Sequence, residues 1–152
     1  MIDAEILKVF CNTFVLYYRA HQAHWNTRGR WFMSDHKVLQ KIYEDLFQSV
    51  DDIAEIIRTL DIELPQTLTE IIEGSDITDM YVMDDGEGDQ YLEAVYLGEK
   101  MLVDSFRELE QVTNTTEYSH INNFAQDRVR ILEKSTWILR SILSERFDNL
   151  PY

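Results

Sequence analysis

The sequence consists mainly of long segments in which apolar residues recur at intervals of three and four, the period of one face of an α-helix. Residues 3–26 contain neither glycine nor proline. Within this segment, one helical face is marked by residues at steps of three and four: Phe10, Phe14, Tyr17, His21 and His24. The chain of 152 residues has only five glycines and two prolines, so few positions can interrupt a helix. The sequence therefore predicts an all-α fold of long helices.

A break at residues 26–30, NTRGR, separates the first helix from a second one. Ser34 or Asp35 is the predicted N-cap of this second helix, because short polar side chains satisfy the first free backbone N–H groups. Its periodic pattern continues to about Leu60. The same period predicts a third helix from about Asp89 to Val112.

A fourth helix is predicted from Thr116 or Ser119 to Phe147. The connection between the second and third helices, residues 61–87, is long and less regular, with a short helix predicted to start near Pro65 and an acidic turn at MDDGEGD. Four long helices with one long middle connection predict a ferritin-like four-helix bundle with a helix 2–helix 3 crossover that carries a short extra helix. We expect residues 1–152 to form one domain.

The apolar face of the second helix is wider than packing inside one bundle requires. Tyr43, Phe47 and Ala54 widen it by about 80°, at 100° per residue. We therefore expect burial against a second subunit, with Asp51 and Glu55 at the edge of the interface. The face itself is formed by Leu39, Ile42, Leu46, Val50, Ile53, Ile57 and Leu60.

Two histidines, His24 and His36, and two carboxylates, Asp51 and Glu55, are the candidate metal ligands. Imidazole with carboxylate is a ligand set that suits iron, and helical bundles hold iron with Glu and His side chains. The two carboxylates are four residues apart, so they face the same way on one helical turn.

The spacing constrains how these four residues can act together. His36 and Asp51 are fifteen positions apart on one predicted helix, which corresponds to about 22 Å of rise. Their side chains cannot share one metal ion within a subunit. If they bind the same ion, that ion must lie between two chains.

The formal net charge is -14, which repels nucleic acid and anionic lipid and attracts cations. A single cysteine, Cys11, excludes an internal disulfide framework and fits a reducing compartment. The N-terminal MIDAEILKVF lacks the pattern of a signal peptide, and no apolar run is long enough to span a bilayer. We therefore expect a cytoplasmic protein without membrane contact.

The motif HWNTRGRWF-x3-H-x14-D-x3-E resembles the signature of the Dps family, the DNA-protection-during-starvation proteins or mini-ferritins. Residues 133–143, EKSTWILRSIL, are similar to the C-terminal helix of that family. The resemblance implies a homo-oligomeric cage of twelve subunits. Such cages oxidise Fe(II) at the two-fold dimer interface, typically with hydrogen peroxide, and store ferric mineral inside.

By the same resemblance, His24 and His36 are iron ligands from one subunit, and Asp51 and Glu55 are ligands from its partner. Glu55 is the carboxylate expected to bridge or to bind most tightly. Trp25 is a neighbour of the centre rather than a ligand. The implied activity is that of a ferroxidase, with iron as the metal and peroxide or oxygen as the oxidant.

The chain departs from the family pattern in several places. Gln40 stands where many members have an acid, one turn after the second histidine, so the second iron position is expected to be weaker. Asn122 and Asn123 stand where acids often line an iron-entry channel, and Asp127 and Glu133 remain candidates for that role.

Two alternatives stay open at this point. Dps proteins that bind DNA usually carry a lysine-rich tail, which this sequence lacks, so DNA binding is not expected, although a nucleoid role on the same cage is the main alternative. The other alternative is a structural cage with impaired oxidation. His21 is assigned mainly to packing beside the site, with direct metal contact as the less favoured interpretation.

Overall fold

The computed structural model describes residues 2–77, 88–144 and 146, and every long element within them is an α-helix. Four long helices and one short helix confirm the predicted ferritin-like bundle. No helix among these residues is both long and apolar enough to cross a membrane. The elements are α1 (Ile2–Asn26), α2 (Phe32–Thr59), α3 (Leu68–Glu73), α4 (Gly88–Val112) and α5 (Ser119–Leu143).

The helices pack as two hairpins. Short connections at residues 27–31 and 113–118 join α1 to α2 and α4 to α5, and each pair packs along its length. The long connection from α2 to α4 contains α3 and brings α4 against α1. The core between the hairpins is aliphatic and aromatic, and its fully buried side chains include Ile6, Leu16, Leu39, Leu46, Ile53, Leu92, Phe106, Leu132 and Leu139.

A buried amide attaches the crossover to the bundle. The side chain of Asn12 is fully buried, and its Nδ2 donates to Ser105 Oγ at 2.7 Å. Its Oδ1 accepts from Ser75 Oγ and from the backbone N–H of Asp76, both at 2.8 Å. Because each buried polar atom of Asn12 has a partner, α1, α4 and the segment after α3 are held in one arrangement.

Cys11 packs against the crossover at Gly74. It is buried, and burial raises the pKa of its thiol to about 11. A Cβ atom at Gly74 would lie 2.7 Å from Cys11 Sγ, so a larger residue at Gly74 would push the crossover away. Cys11 is therefore a packing residue, and its protonated thiol is a poor nucleophile at neutral pH.

The predicted start of the second helix was wrong by a few residues. The backbone N–H of Asp35 donates to the carbonyl oxygen of Trp31 at 2.9 Å, so α2 begins at Phe32 with Trp31 as the N-cap residue. Ser34 lies inside the first turn. Asp35 is not a cap because its buried carboxylate pairs with Arg146, with atoms at 3.2 Å.

The other boundaries agree more closely with the sequence. The short crossover helix begins at Leu68 rather than near Pro65, because Thr67 caps it by accepting the backbone N–H of Glu70 at 3.1 Å. The last helix ends at Leu143. Its predicted end at Phe147, and most of the predicted acidic turn, lie outside the described residues.

A second buried polar group lies between α2, α4 and α5. Glu99 is 1% exposed, its Oε1 accepts from Ser135 Oγ at 2.6 Å, and its Oε2 has no partner among the described residues. Burial raises the pKa of Glu99 to about 8, and the charge of Asp45 adds to this while the Ser135 hydrogen bond and Arg128 oppose it. Glu99 is therefore protonated at neutral pH.

This carboxyl group predicts how stability depends on pH. Between its ordinary pKa of 4.5 and about 8, the folded chain holds a proton that the unfolded chain releases. The free energy of unfolding therefore falls as pH rises through this window. Glu99→Gln keeps the size and the Ser135 hydrogen bond without the charge, so we expect a flatter pH profile and a variant more stable than wild type by roughly 3–5 kcal/mol near pH 9.

Thermal and urea unfolding between about pH 5 and 9 checks this expectation. Glu73→Gln, the same replacement at an exposed position on α3, is the matched control. Parallel pH profiles for wild type and Glu99→Gln would contradict the assignment of a protonated buried acid.

Candidate metal centre

His24 and His36 meet where α1 ends and α2 begins. The turn at residues 27–31 reverses the chain, and the two imidazole rings stack with centroids 3.6 Å apart and planes inclined by 17°. His24 is buried and His36 is half-buried. The structure thus brings together the two histidines that the sequence identified.

The two histidines hold each other through reciprocal hydrogen bonds. The ring of His24 donates from Nδ1 to the backbone carbonyl of His36 at 2.8 Å, and His36 Nδ1 donates to the carbonyl of His24 at 2.8 Å. A carbonyl oxygen can only accept, so both Nδ1 atoms carry the hydrogen. In the neutral rings each Nε2 then keeps its lone pair, which is the form of imidazole that binds a metal ion.

The candidate carboxylates lie elsewhere on the same helix. Because α2 is continuous from Phe32 to Thr59, the fifteen positions from His36 to Asp51 correspond to about 22 Å. Asp51 and Glu55 are exposed, and neither forms an ion pair or hydrogen bond with another described residue. No group of three or more His, Cys, Asp or Glu side chains suited to a metal occurs in the described part of the chain. One chain therefore presents two separate pairs of potential ligands.

An aromatic cluster adjoins the histidine pair. The ring of His21 stacks on Tyr43 at 3.8 Å with planes inclined by 7°, and His21 Nδ1 lies 2.9 Å from the hydroxyl of Tyr17. The ring of Tyr43 is 5.0 Å from that of His24, and Trp25 lies 4.0 Å from His21. Within one chain His21 therefore packs against Tyr43 and Trp25 beside the histidine pair.

Burial, and then the neighbouring His24, lower the pKa of His21. Both effects favour the neutral form of the His21 ring. Tyr17 and Tyr43 were not singled out by sequence reasoning as members of the site. The sequence did contain one indication of the Tyr17–His21 contact: residues 17 and 21 are four positions apart, which places both side chains on one helical face.

Comparison with known proteins shows the family of the chain. The sequence profile of the ferritin-like domain matches residues 4–147. The chain is 30% identical over 141 residues to a DNA protection during starvation protein of Helicobacter pylori, covering 92% of this chain and 97% of that protein. The chain belongs to the Dps family. Family membership indicates an iron-handling protein of the ferritin-like type.

Further Dps proteins are similar along most of their length. DNA protection during starvation protein 2 of Bacillus anthracis is 24% identical over 131 residues, which cover 86% of this chain and 88% of that protein. Among solved structures, Dps from Listeria innocua has a TM-score of 0.87 at 20% identity and covers 94% of each chain. Dps from Vibrio cholerae, described as a ferritin-like diiron-carboxylate protein, has a TM-score of 0.86 at 23% identity and covers 93% of this chain and 88% of its own.

Gln40, where many Dps proteins have an acid, is exposed on α2. Its Nε2 donates to Glu44 Oε1 at 2.8 Å, one turn further along the helix. An amide cannot compensate the charge of Fe(III), and this amide is already paired with a neighbouring carboxylate. The weaker second iron position stays a prediction, and the structure adds that the Gln40 amide is paired with Glu44.

Asn122 has a structural role that the sequence did not reveal. It is buried, and its Nδ2 donates to the backbone carbonyl of Glu110 at 2.7 Å. Its Oδ1 accepts from Gln126 Nε2 at 2.6 Å. Asn122 therefore joins the end of α4 to the start of α5, which leaves only Asn123 of that pair exposed.

The two acidic residues considered for iron entry are paired with arginines. Asp127 accepts from Arg130 at 2.6 Å, and Glu133 accepts from Arg107 at 2.8 Å. Both pairs are exposed, so each is worth little in stability but lowers the local negative charge. An entry route lined by these two carboxylates would therefore attract cations less strongly than unpaired acids.

The reciprocal hydrogen bonds of His24 and His36 predict a specific tautomer. In metal-free protein we expect both rings to carry the hydrogen on Nδ1, because each Nδ1 faces a carbonyl oxygen. Solid-state NMR of protein labelled with ¹⁵N-histidine distinguishes the two tautomers, and only four histidines contribute signals. His24→Ala and His36→Ala assign the resonances. An Nε2–H tautomer at either position would contradict the described arrangement.

Proposed function

We propose that this protein is a mini-ferritin that oxidises Fe(II) and stores ferric iron inside a protein cage. His24 and His36 of one subunit and Asp51 and Glu55 of its partner would form each centre. The observation that carries the proposal is the pair of hydrogen bonds that leaves both Nε2 atoms free as ligands. The separation of the two ligand pairs along α2 supports a centre between subunits.

The donor set fits the chemistry of iron oxidation. Neutral imidazole binds Fe(II), while the harder carboxylate oxygens of Asp51 and Glu55 stabilise Fe(III). Four protein ligands leave coordination positions open for the oxidant, for which peroxide or oxygen is suitable. Iron is here the substrate as well as the metal bound. Each proposed centre has two iron positions, and the second ion is bound more weakly because Gln40 offers a neutral amide in place of a carboxylate.

Exposed apolar side chains support assembly. Phe47 is 62% exposed on α2, beside the half-buried Tyr43 and Ala54, so the wide apolar arc of this helix is not covered by its own bundle. Leu68 and Ile72 of α3 are exposed as well, and with α1 they border a groove of about 460 Å³. Self-complementary patches of this kind favour a closed symmetric oligomer, and we propose a dodecamer.

The charge of the chain supports iron storage rather than direct DNA binding. At -14 per subunit, the cage would concentrate Fe(II) and repel a nucleic acid backbone. Two relatives carry the name DNA protection during starvation protein. We propose that any protection by this protein arises from removing iron and oxidant, since free Fe(II) with peroxide generates hydroxyl radicals.

Paired variants test the proposed centre. Stopped-flow oxidation of Fe(II) by peroxide should slow by about 100-fold or more in His24→Ala/His36→Ala and in Asp51→Ala/Glu55→Ala, because ligand removal exceeds the usual effect of changing outer-shell partners. His120→Ala and Asp52→Ala are the matched controls, and both should oxidise iron at the wild-type rate.

Light scattering provides the control for assembly, and we expect twelve subunits for wild type and all variants. A wild-type mass near one or two subunits would contradict the cage. Rapid oxidation in either paired variant, with assembly intact, would contradict the assignment of the ligands.

A further inference from the structure

A pocket of about 290 Å³ lies between α2 and α5, and Glu99 of α4 is the least exposed residue of its lining. Its apolar walls are formed by Val38 and Ile42 of α2 and by Ile131 and Ile138 of α5. Ligand sites in proteins are mostly apolar concavities with a few fixed polar groups, and their volumes begin at about 300 Å³. This pocket therefore has the size and the walls of a site for a small organic molecule.

Glu99 offers the pocket a hydrogen-bond donor. Its side chain is 1% exposed and carries a proton at neutral pH, because burial raises its pKa to about 8. Its Oε1 accepts from Ser135 Oγ at 2.6 Å, which leaves the hydrogen of the carboxyl group to Oε2. Oε2 has no partner among the described residues. A buried donor without an acceptor is costly, so we expect an acceptor from outside the chain at this point.

Two lysines give the pocket a positive charge within an acidic chain. Lys41 of α2 and Lys134 of α5 line it, and neither forms an ion pair or hydrogen bond with another described residue. The carboxylate of Asp45, also in the lining, accepts two hydrogen bonds from Arg128 at 3.0 and 2.8 Å and is neutralised by it. Although the chain carries a net charge of -14, this pocket favours an anion over a cation.

The pocket lies on a different side of α2 from the candidate metal centre. At 100° per residue, Lys41 and Asp45 are each about 160° around the helix from Tyr43, because each lies two positions from it. His36 is seven positions from Tyr43 and therefore lies on the same side as Tyr43, within about 20°. An interface formed by the wide apolar arc of α2 would leave the pocket open to solvent.

We propose that this pocket, the Glu99 pocket, binds a small organic monocarboxylate with a compact hydrocarbon body. A carboxylate oxygen of the ligand accepts the hydrogen of Glu99 Oε2, and the ammonium groups of Lys41 and Lys134 compensate its charge. The hydrocarbon body packs between the apolar side chains of α2 and α5, which removes it from water. The site goes beyond iron handling and does not depend on it.

The ionisation of Glu99 makes binding depend on pH. Once Glu99 has lost its proton, the donor is absent and the new charge repels the carboxylate of the ligand. Affinity should therefore fall as pH rises through about 8, and bound ligand should in turn hold the proton on Glu99. The groups that face Glu99 from the neighbouring helices are Lys41 and Asp45 of α2 and Arg128, Lys134 and Ser135 of α5.

Isothermal titration calorimetry with benzoate on the purified, metal-free protein at neutral pH tests the site. Benzoate combines a carboxylate with a compact ring, and we expect one molecule to bind per subunit. Acetate keeps the charge but lacks the apolar body, so it should bind at least about tenfold more weakly. Benzylamine has the same ring with the opposite charge and should not bind, because the two lysines of the lining repel it.

Matched variants separate the roles of the lysines and of the proton. Lys41→Gln/Lys134→Gln should weaken benzoate binding by about tenfold or more. Lys37→Gln/Lys100→Gln makes the same change of net charge outside the pocket and should bind as wild type does. Glu99→Gln keeps a donor on Nε2 and cannot ionise. It should bind benzoate equally at neutral pH and near pH 9, where wild-type binding is about tenfold weaker.

Three results would overturn the proposal. They are the absence of benzoate binding to wild type at neutral pH, an equal loss of affinity in the two lysine pairs, and the same dependence on pH in wild type and Glu99→Gln. None of these measurements involves iron, so their outcome is independent of the proposed ferroxidase function.

Discussion

The continuity of α2 is the constraint on which the rest of the account depends. An uninterrupted helix from Phe32 to Thr59 holds His36 and Asp51 about 22 Å apart, and no rotation of side chains closes that distance. In the proposed centre each chain would therefore carry one half of two different sites. Iron oxidation by such a centre would depend on assembly, because a subunit that has folded but not yet associated cannot present all four ligands to one iron.

The polar groups inside the bundle serve different purposes. Asn12 has all its partners and attaches the crossover. Oε2 of Glu99 has no partner in the described part of the chain, and Glu99 remains protonated at neutral pH, which makes stability depend on pH. The histidine pair is the third case, since its hydrogen bonds use Nδ1 and leave Nε2 free. The three cases thus differ in how the polar group is accommodated: Asn12 by hydrogen bonds, Glu99 by protonation, and the histidines by hydrogen bonds that leave one ring nitrogen of each available.

Periodicity predicted the helices and the crossover, because these follow from local pattern. The grouping of His24 with His36 came from the family resemblance. The other features could not be predicted because they depend on contacts between residues that are distant in the sequence. Asp35 has the residue type of a helix N-cap, but it pairs with Arg146, more than a hundred residues later. Asn122 stands where the family often has a residue of the iron-entry channel, but its side chain donates a hydrogen bond to the backbone carbonyl of Glu110 in α4. The Tyr17–His21 contact could be expected from their spacing of four on one helix. The stacking of Tyr43 on the His21 ring joins two helices and is visible only in the structure.

Complementation between subunits is the most direct test of a shared centre. Two inactive variants, His24→Ala/His36→Ala and Asp51→Ala/Glu55→Ala, are mixed in equal amounts and reassembled. A two-fold dimer of one of each has one centre with all four ligands, so random pairing should restore up to about a quarter of wild-type iron oxidation. Mass spectrometry confirms that the particles are mixed. Failure of properly mixed particles to recover activity would contradict a centre built from two subunits.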